Sequence, residues 1–155
     1  AADAGAQVTH VDASKGMVTW AKENAVSSGL GDAPIRWLVD DCVKFVEREI
    51  RRGNTYDAII MDPPSYGRGP KGEIWKIEDM IHPLIKLCTK ILSKDALFFL
   101  VNSYTTGLAP AVLTYMISTE LKPWNGHVDS QEIGLPVTDS GLVLPCGASG
   151  RWERD

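Results

Sequence analysis

The residue types best suited to chemistry stand together after one short apolar run: an acid, two prolines and an aromatic residue. The run Ala58–Met61 is typical of a strand buried on both faces of a parallel sheet. Pro63 and Pro64 fix φ and supply no backbone N–H, so the strand must end before them. Because open α/β sheets bind ligands at the carboxyl ends of their strands, Asp62 and Tyr66 are predicted to lie where chemistry takes place.

The elements around this stretch alternate between strand and helix. Ser14 is a good N-cap, Gly29 marks a helix C-terminus, and Pro110 opens a helix at its first position. Predicted strands cover residues 7–11, 35–39, 58–61 and 96–101, and predicted helices cover 15–28, 43–52, 77–92 (interrupted by Pro83) and 110–120. Two closing segments, 128–135 and 142–146, are predicted to form an antiparallel pair. This order predicts a doubly wound, Rossmann-like α/β fold with a mostly parallel sheet and a C-terminal antiparallel pair.

Length and composition limit the class of protein. The 155 residues are one domain's worth of chain, so we expect residues 1–155 to form a single domain. No apolar run is long enough to span a membrane, and the N-terminal residues lack the pattern of a signal peptide. The three cysteines are scattered without metal-ligand spacing, so we expect no metal site and a cytoplasmic location. The net charge of −4 gives no overall footprint for nucleic acid.

Acids also follow the two earlier predicted strands. Asp12 can accept hydrogen bonds from both ribose hydroxyls of a nucleoside cofactor, or it is a solvated strand-end residue beside the Ser14 cap. Asp40 and Asp41 end the next strand, and the alternative role for Asp41 is to cap the helix that follows.

These three clusters carry a resemblance. The segment 62–66, together with residues 11–15 and 40–41, resembles the motifs of class I S-adenosylmethionine (SAM) dependent methyltransferases. The likeness covers nearly the whole chain and is greatest to bacterial rRNA large-subunit methyltransferases and their uncharacterised relatives. It implies that SAM is the cofactor and that a nucleobase of ribosomal RNA is the methyl acceptor.

The resemblance also implies roles for individual residues. Asp12 and Ala13 would bind the ribose of SAM, Asp41 the adenine amino group, and the Cys42 N–H a ring nitrogen. The residues implied to be catalytic are Asp62, Pro63, Pro64 and Tyr66, and Asp62 would also contact the cofactor.

If the acceptor is an exocyclic amine, Asp62 and nearby carbonyls can accept its hydrogens, and Tyr66 is the candidate to stack on an extruded base. The family's amino-methylating motif places the aromatic residue directly after the prolines, whereas Ser65 intervenes here.

Methylation at cytosine C5 needs a cysteine thiolate, which in the resembled families comes directly after the fourth or fifth strand. Those places hold residues 64–65 and 102–103 here, none of them a cysteine, so a nitrogen or oxygen acceptor is favoured. Arg68 and Lys71 are candidate phosphate contacts, although an ordinary solvated loop is the more common role for such charges.

The family's first strand and its Gly-rich turn are absent from this chain. In the family's sheet that strand lies between the strands that end here at Asp12 and Asp62. We therefore expect a strand from an upstream segment or a partner to complete the sheet, because unpaired buried backbone groups are costly. The alternatives are a non-catalytic SAM-binding fragment, a methyltransferase for a small-molecule or protein acceptor, and a nicotinamide-dependent oxidoreductase, which would leave the Asp-Pro-Pro segment unexplained.

Overall fold

The computed structural model describes residues 1–69, 72–105 and 107–155. The chain divides into two compact units, Ala1–Arg52 and Gly53–Asp155, and each is described by itself. That residues 1–155 act as one domain stays a prediction.

The first unit contains two strand–helix repeats. Its elements are β1 (Val8–Asp12), α1 (Lys15–Ser27), β2 (Ile35–Val39) and α2 (Cys42–Arg52). The two strands pair in parallel, from Val8 opposite Ile35 to Asp12 opposite Val39, so both carboxyl ends reach the same edge. This is the parallel arrangement that the alternating pattern predicted.

Local signals set the ends of α1. The Ser14 hydroxyl accepts a hydrogen bond from the Met17 N–H, as expected of an N-cap. At the other end Gly29 takes a φ of +75°, which lets the Leu30 N–H reach the Ala25 carbonyl at 2.8 Å. Val18 is the buried apolar residue of α1, whereas Met17 beside it is exposed.

The second unit contains the central strand and all later elements. They are β3 (Ala58–Met61), β4 (Tyr66–Arg68), β5 (Ile74–Lys76), α3 (Ile77–Thr89), β6 (Phe98–Ser103), α4 (Pro110–Glu120), β7 (His127–Pro136) and β8 (Val143–Glu153). The strand order in the larger sheet is β3-β6-β8-β7, with β3 and β6 parallel and β8 antiparallel to both of its neighbours. The fold class is therefore α/β with a C-terminal antiparallel pair, as predicted.

Three expectations for this unit need correction. Arg68, for which an ordinary solvated loop was the more common role, lies on the short strand β4, which pairs antiparallel with β5. Helix α3 runs through Pro83 and ends at Thr89, so the apolar periodicity that continues to Leu92 belongs partly to the turn after it. Strand β3 is not buried on both faces, because Ile60 is 58% exposed.

The core of the second unit lies where α3 and α4 meet the four-stranded sheet. Its fully buried side chains come from helices and strands alike: Ile77, Ile85, Phe99, Val101, Leu113, Ile117, Leu121 and Trp152. Burial of such side chains stabilises a fold by roughly 1.5–3 kcal/mol each. The carboxyl ends of β3 and β6 carry the residues of interest.

Candidate functional site

Asp12 ends β1 with one carboxylate oxygen engaged. Its Oδ1 accepts a hydrogen bond from the Ser14 N–H at 2.6 Å, which ties the acid to the cap of α1. Its Oδ2 accepts no hydrogen bond from the residues that the structure describes. Asp12 therefore supports the N-cap of α1, as its simpler alternative role requires. Its Oδ2 can still accept a hydrogen bond from a ligand. Ala13 lies exposed between Asp12 and Ser14.

Asp40 and Asp41 follow β2 at the same edge, but only one of them keeps an acceptor. The carboxylate of Asp40 accepts from the Asp41 N–H and pairs with Arg48, so both of its oxygens are engaged. Asp41 uses only Oδ1, which accepts from the Lys44 N–H at 2.9 Å and caps α2. The spare oxygen of Asp41 distinguishes it from its neighbour.

Two contacts hold the ends of β1 and β2 together. The Asp40 N–H donates to the Asp12 carbonyl at 3.0 Å. The Cys42 thiol lies 3.8 Å from the carbonyl oxygen of Val11. Cys42 is also the first residue of α2, where the backbone N–H points beyond the helix N-terminus. The first unit thus brings Asp12, Asp41 and Cys42 to one edge.

The second unit presents the acid and prolines directly after β3. Asp62 is exposed, and its carboxylate makes no hydrogen bond or ion pair with any described residue. One of the two proline carbonyls is engaged by an N–H donor. The Trp75 indole Nε1–H donates to the Pro64 carbonyl at 2.6 Å, and the Ile77 N–H donates to the Ser65 carbonyl at 3.1 Å. Pro63 is half-buried, and its carbonyl accepts no such hydrogen bond from a described residue.

Tyr66 and Arg68 both lie on β4, two residues apart and hence on the same face of the strand. The Arg68 Nε–H donates to the Tyr66 hydroxyl at 2.9 Å, and the Tyr66 side chain is 49% exposed. The Tyr66 hydroxyl is thus fixed by a hydrogen bond, while the ring remains accessible. Lys71 lies outside the described residues.

Residues after β6 join the same edge, and reasoning from the sequence did not assign them a role. Because β6 runs parallel to β3, its carboxyl end lies beside the acid and prolines. Tyr104 is 59% exposed there, and the Thr105 hydroxyl lies 2.6 Å from the Ser65 hydroxyl. The sequence does contain a signal for these residues: an aromatic and polar run directly follows an apolar strand, which is the pattern that singled out Asp62.

In chemical terms, both edges are rich in hydrogen-bond acceptors. Unengaged carboxylate oxygens suit a hydroxyl or an amine, and an accessible tyrosine ring suits a flat ligand. Among the residues that the structure describes, no cluster of His, Cys, Asp or Glu is suited to hold a metal ion. No helix in the same residues is long and apolar enough to cross a membrane.

Comparison with solved structures identifies the class of protein to which this fold belongs. The chain is 42% identical to the SAM-dependent methyltransferase from Agrobacterium tumefaciens, over 99% of this chain and 51% of that one, with a TM-score of 0.90. A Streptococcus mutans SAM-dependent methyltransferase superposes over 93% of this chain and 38% of its own, at 19% identity and a TM-score of 0.71, which shows the fold alone. The resemblance inferred from the motifs is confirmed: the chain has the class I SAM-dependent methyltransferase fold.

Comparison with curated proteins gives more particular relatives. The chain is 34% identical over 86 residues to the ribosomal RNA large subunit methyltransferase K/L of Pseudoalteromonas atlantica. It is 29% identical over 94 residues to the ribosomal RNA large subunit methyltransferase K of Neisseria meningitidis. No family model matches the chain.

The chain corresponds to only part of each relative. The matches cover 12% and 27% of these two curated proteins, and 55% and 60% of this chain. It spans about half of the Agrobacterium protein.

Proposed function

We propose that this chain is the catalytic part of a SAM-dependent methyltransferase that modifies a nucleobase of large-subunit ribosomal RNA. The observation that carries the proposal is the 42% identity to a SAM-dependent methyltransferase over nearly the whole chain. The curated relatives named above are rRNA large subunit methyltransferases, which supports RNA as the substrate.

The residues of the first unit fit the nucleoside half of SAM. Asp12 and Asp41 each keep one carboxylate oxygen after serving their local caps. We assign Asp12, with Ala13, to the ribose hydroxyls, and Asp41, with the Cys42 N–H, to the adenine. A hydrogen bond to a charged group contributes about 1.5–3 kcal/mol, so loss of either acid has a measurable effect.

The acceptor is assigned to the residues after β3. Bound SAM supplies an electrophilic methyl group, and the protein's task is to orient the acceptor toward it. We propose that the unpaired Asp62 carboxylate and the Pro63 carbonyl accept the hydrogens of an exocyclic amine, and that Asp62 also contacts the cofactor. Pro64 then has a structural role, because its carbonyl accepts a hydrogen bond from the Trp75 indole and this bond anchors the loop.

The remaining roles concern the RNA itself. We assign the Tyr66 ring to stacking on the target base, and Arg68 and Lys71 to the adjacent phosphates. A nitrogen acceptor is favoured over cytosine C5, since none of Cys42, Cys88 and Cys146 directly follows β3 or β6. The enzyme is expected to be cytoplasmic, where its RNA substrate is made.

We further propose that one more strand, from an upstream segment of the same protein or from a partner, completes the sheet. Among the described residues, β1 and β3 each pair on one side only. An unpaired strand edge presents a row of N–H and C=O groups, which favours pairing with another strand.

The first test is calorimetric titration of S-adenosylhomocysteine into the protein, beside Asp12→Ala and Asp40→Asn. We expect micromolar binding that Asp12→Ala weakens by roughly 10-fold or more, from the loss of one charged hydrogen bond. Asp40→Asn is the matched control, because Asp40 lies at the same edge with both oxygens engaged.

Transfer itself is tested by incorporation of labelled methyl from SAM into unmodified large-subunit rRNA, followed by nucleoside analysis. In the calorimetric titration, equal binding of S-adenosylhomocysteine by the unsubstituted protein and Asp12→Ala would refute the ribose assignment. Binding without transfer to RNA would favour the alternatives, a non-catalytic fragment or another acceptor, and small-molecule and protein acceptors would then be compared.

A further inference from the structure

Ser65 separates the two prolines from Tyr66, and its hydroxyl has a specific partner. The Ser65 Oγ lies 2.6 Å from the Thr105 Oγ1, although the two residues are 40 positions apart. Parallel pairing of β3 with β6 makes this contact possible, because both side chains follow neighbouring strands at the same end. The contact is thus a link between two loops of the candidate site.

The loop after β3 is held on its other side by the β4–β5 hairpin. The Trp75 indole donates to the Pro64 carbonyl, and the Ile77 N–H donates to the Ser65 carbonyl. Asp62, in contrast, makes no side-chain hydrogen bond with any described residue. The direction of the Asp62 carboxylate is therefore set by the backbone of the loop and by whatever holds that loop.

Thr105 is itself firmly placed. Its N–H donates to the Ser103 hydroxyl at 3.2 Å, and Ser103 is fully buried. Strand β8 passes close by: a Cβ added to Gly147 would overlap the Ser103 carbonyl oxygen and lie 3.0 Å from the Tyr104 Cα. The turn after β6 thus rests against β8, and Thr105 extends from that support to the loop of Asp62.

We propose that Thr105 is a positioning residue for methyl transfer. Through Ser65 it holds the loop of Asp62, Pro63 and Pro64 in the orientation that the acceptor amine requires. The proposal rests on the proposed function, and it gives Ser65 a reason to stand between the prolines and the tyrosine. Small misplacement of orienting groups lowers turnover, so the effect should be on kcat more than on binding of the acceptor.

The experiment compares Thr105→Val, Thr105→Ser and Ser65→Ala with the unsubstituted protein, using unmodified large-subunit rRNA and labelled SAM. Loss of one neutral hydrogen bond predicts a fall in kcat of about 3- to 10-fold for Thr105→Val and Ser65→Ala, with the KM for RNA nearly unchanged. Thr105→Ser keeps the hydroxyl and should restore kcat. Thr119→Val is the matched control, because it removes an exposed threonine hydroxyl bond within α4.

A second readout is independent of activity. Hydrogen exchange of the Trp75 indole N–H, assigned by its absence in Trp75→Phe, reports how well the Pro64 carbonyl is held. Thr105→Val and Ser65→Ala should speed this exchange, and Thr105→Ser and Thr119→Val should leave it unchanged.

Unchanged exchange and unchanged kcat in Thr105→Val would overturn the proposal. An equal loss of kcat in Thr105→Ser would overturn it as well, because the hydroxyl would then not be what matters. If the unsubstituted protein transfers no methyl group even when the proposed additional strand is supplied, the proposed function fails, and the exchange measurement still decides whether Thr105 holds the loop.

Discussion

Replacing Gly147 by alanine will destabilise the protein much more than the same change at Gly141, although both glycines have positive φ. Gly147 has a φ of +142° and Gly141 a φ of +67°. They differ in their surroundings. A Cβ on Gly141 meets nothing within 4 Å, whereas one on Gly147 would overlap the Ser103 carbonyl and lie 2.9 Å from its carbonyl carbon.

The size of the effect follows from two separable costs. A non-glycine residue in the left-handed region costs about 1–2 kcal/mol at Gly141, and at the more extended φ of Gly147 the backbone cost is at least as large, about 1–3 kcal/mol. Overlap with backbone adds about 1–3 kcal/mol at Gly147 only, because β8 or the turn after β6 must shift to relieve it. We therefore expect a loss of about 1 kcal/mol for Gly141→Ala and about 3 kcal/mol for Gly147→Ala.

Thermal and urea unfolding of the two variants measure this difference. For a chain of this size, an extra loss of about 2 kcal/mol lowers Tm by a further 4–8 °C, roughly. If Gly147→Ala unfolds with the same midpoint as Gly141→Ala, then β8 does not press against the turn after β6. The support assigned to Thr105 would lose its structural basis in that case.

Other expectations follow from single contacts. Trp75→Phe removes the hydrogen bond to Pro64 and should lower the free energy of unfolding by about 1 kcal/mol, whereas Trp20→Phe, at an exposed indole, should change it by less than about 0.5 kcal/mol in the same urea titration. His82 and Glu120 join α3 to α4 at 2.8 Å, and a double-mutant cycle should give a coupling of about 0.5 kcal/mol, zero coupling being the contrary result. Ile117→Ala leaves a cavity under the sheet and should cost about 2–5 kcal/mol, and a loss below about 1 kcal/mol would contradict its burial.

Features with local causes were predictable from the sequence. Ser14 caps α1, Gly29 ends it and Pro110 opens α4, because each of these effects depends on a residue's own conformational preferences. The alternation of strand and helix likewise predicted the parallel pairs. The β4–β5 hairpin escaped prediction, since three-residue strands next to glycine and proline carry no detectable period.

The candidate site was predictable in its residue types but not in their partners. The position of Asp62 after an apolar run could be read directly, whereas the engagement of the Pro64 carbonyl depends on Trp75, eleven residues further on. The partner of Ser65 is more distant still, because it is determined by which strand lies next to β3. A polar side chain in a motif therefore has two possible explanations, contact with the ligand or support of a neighbour that makes such contact. For Ser65 the distance to Thr105 favours support, and the same reasoning favours ligand contact for Asp62, whose carboxylate has no partner among the described residues.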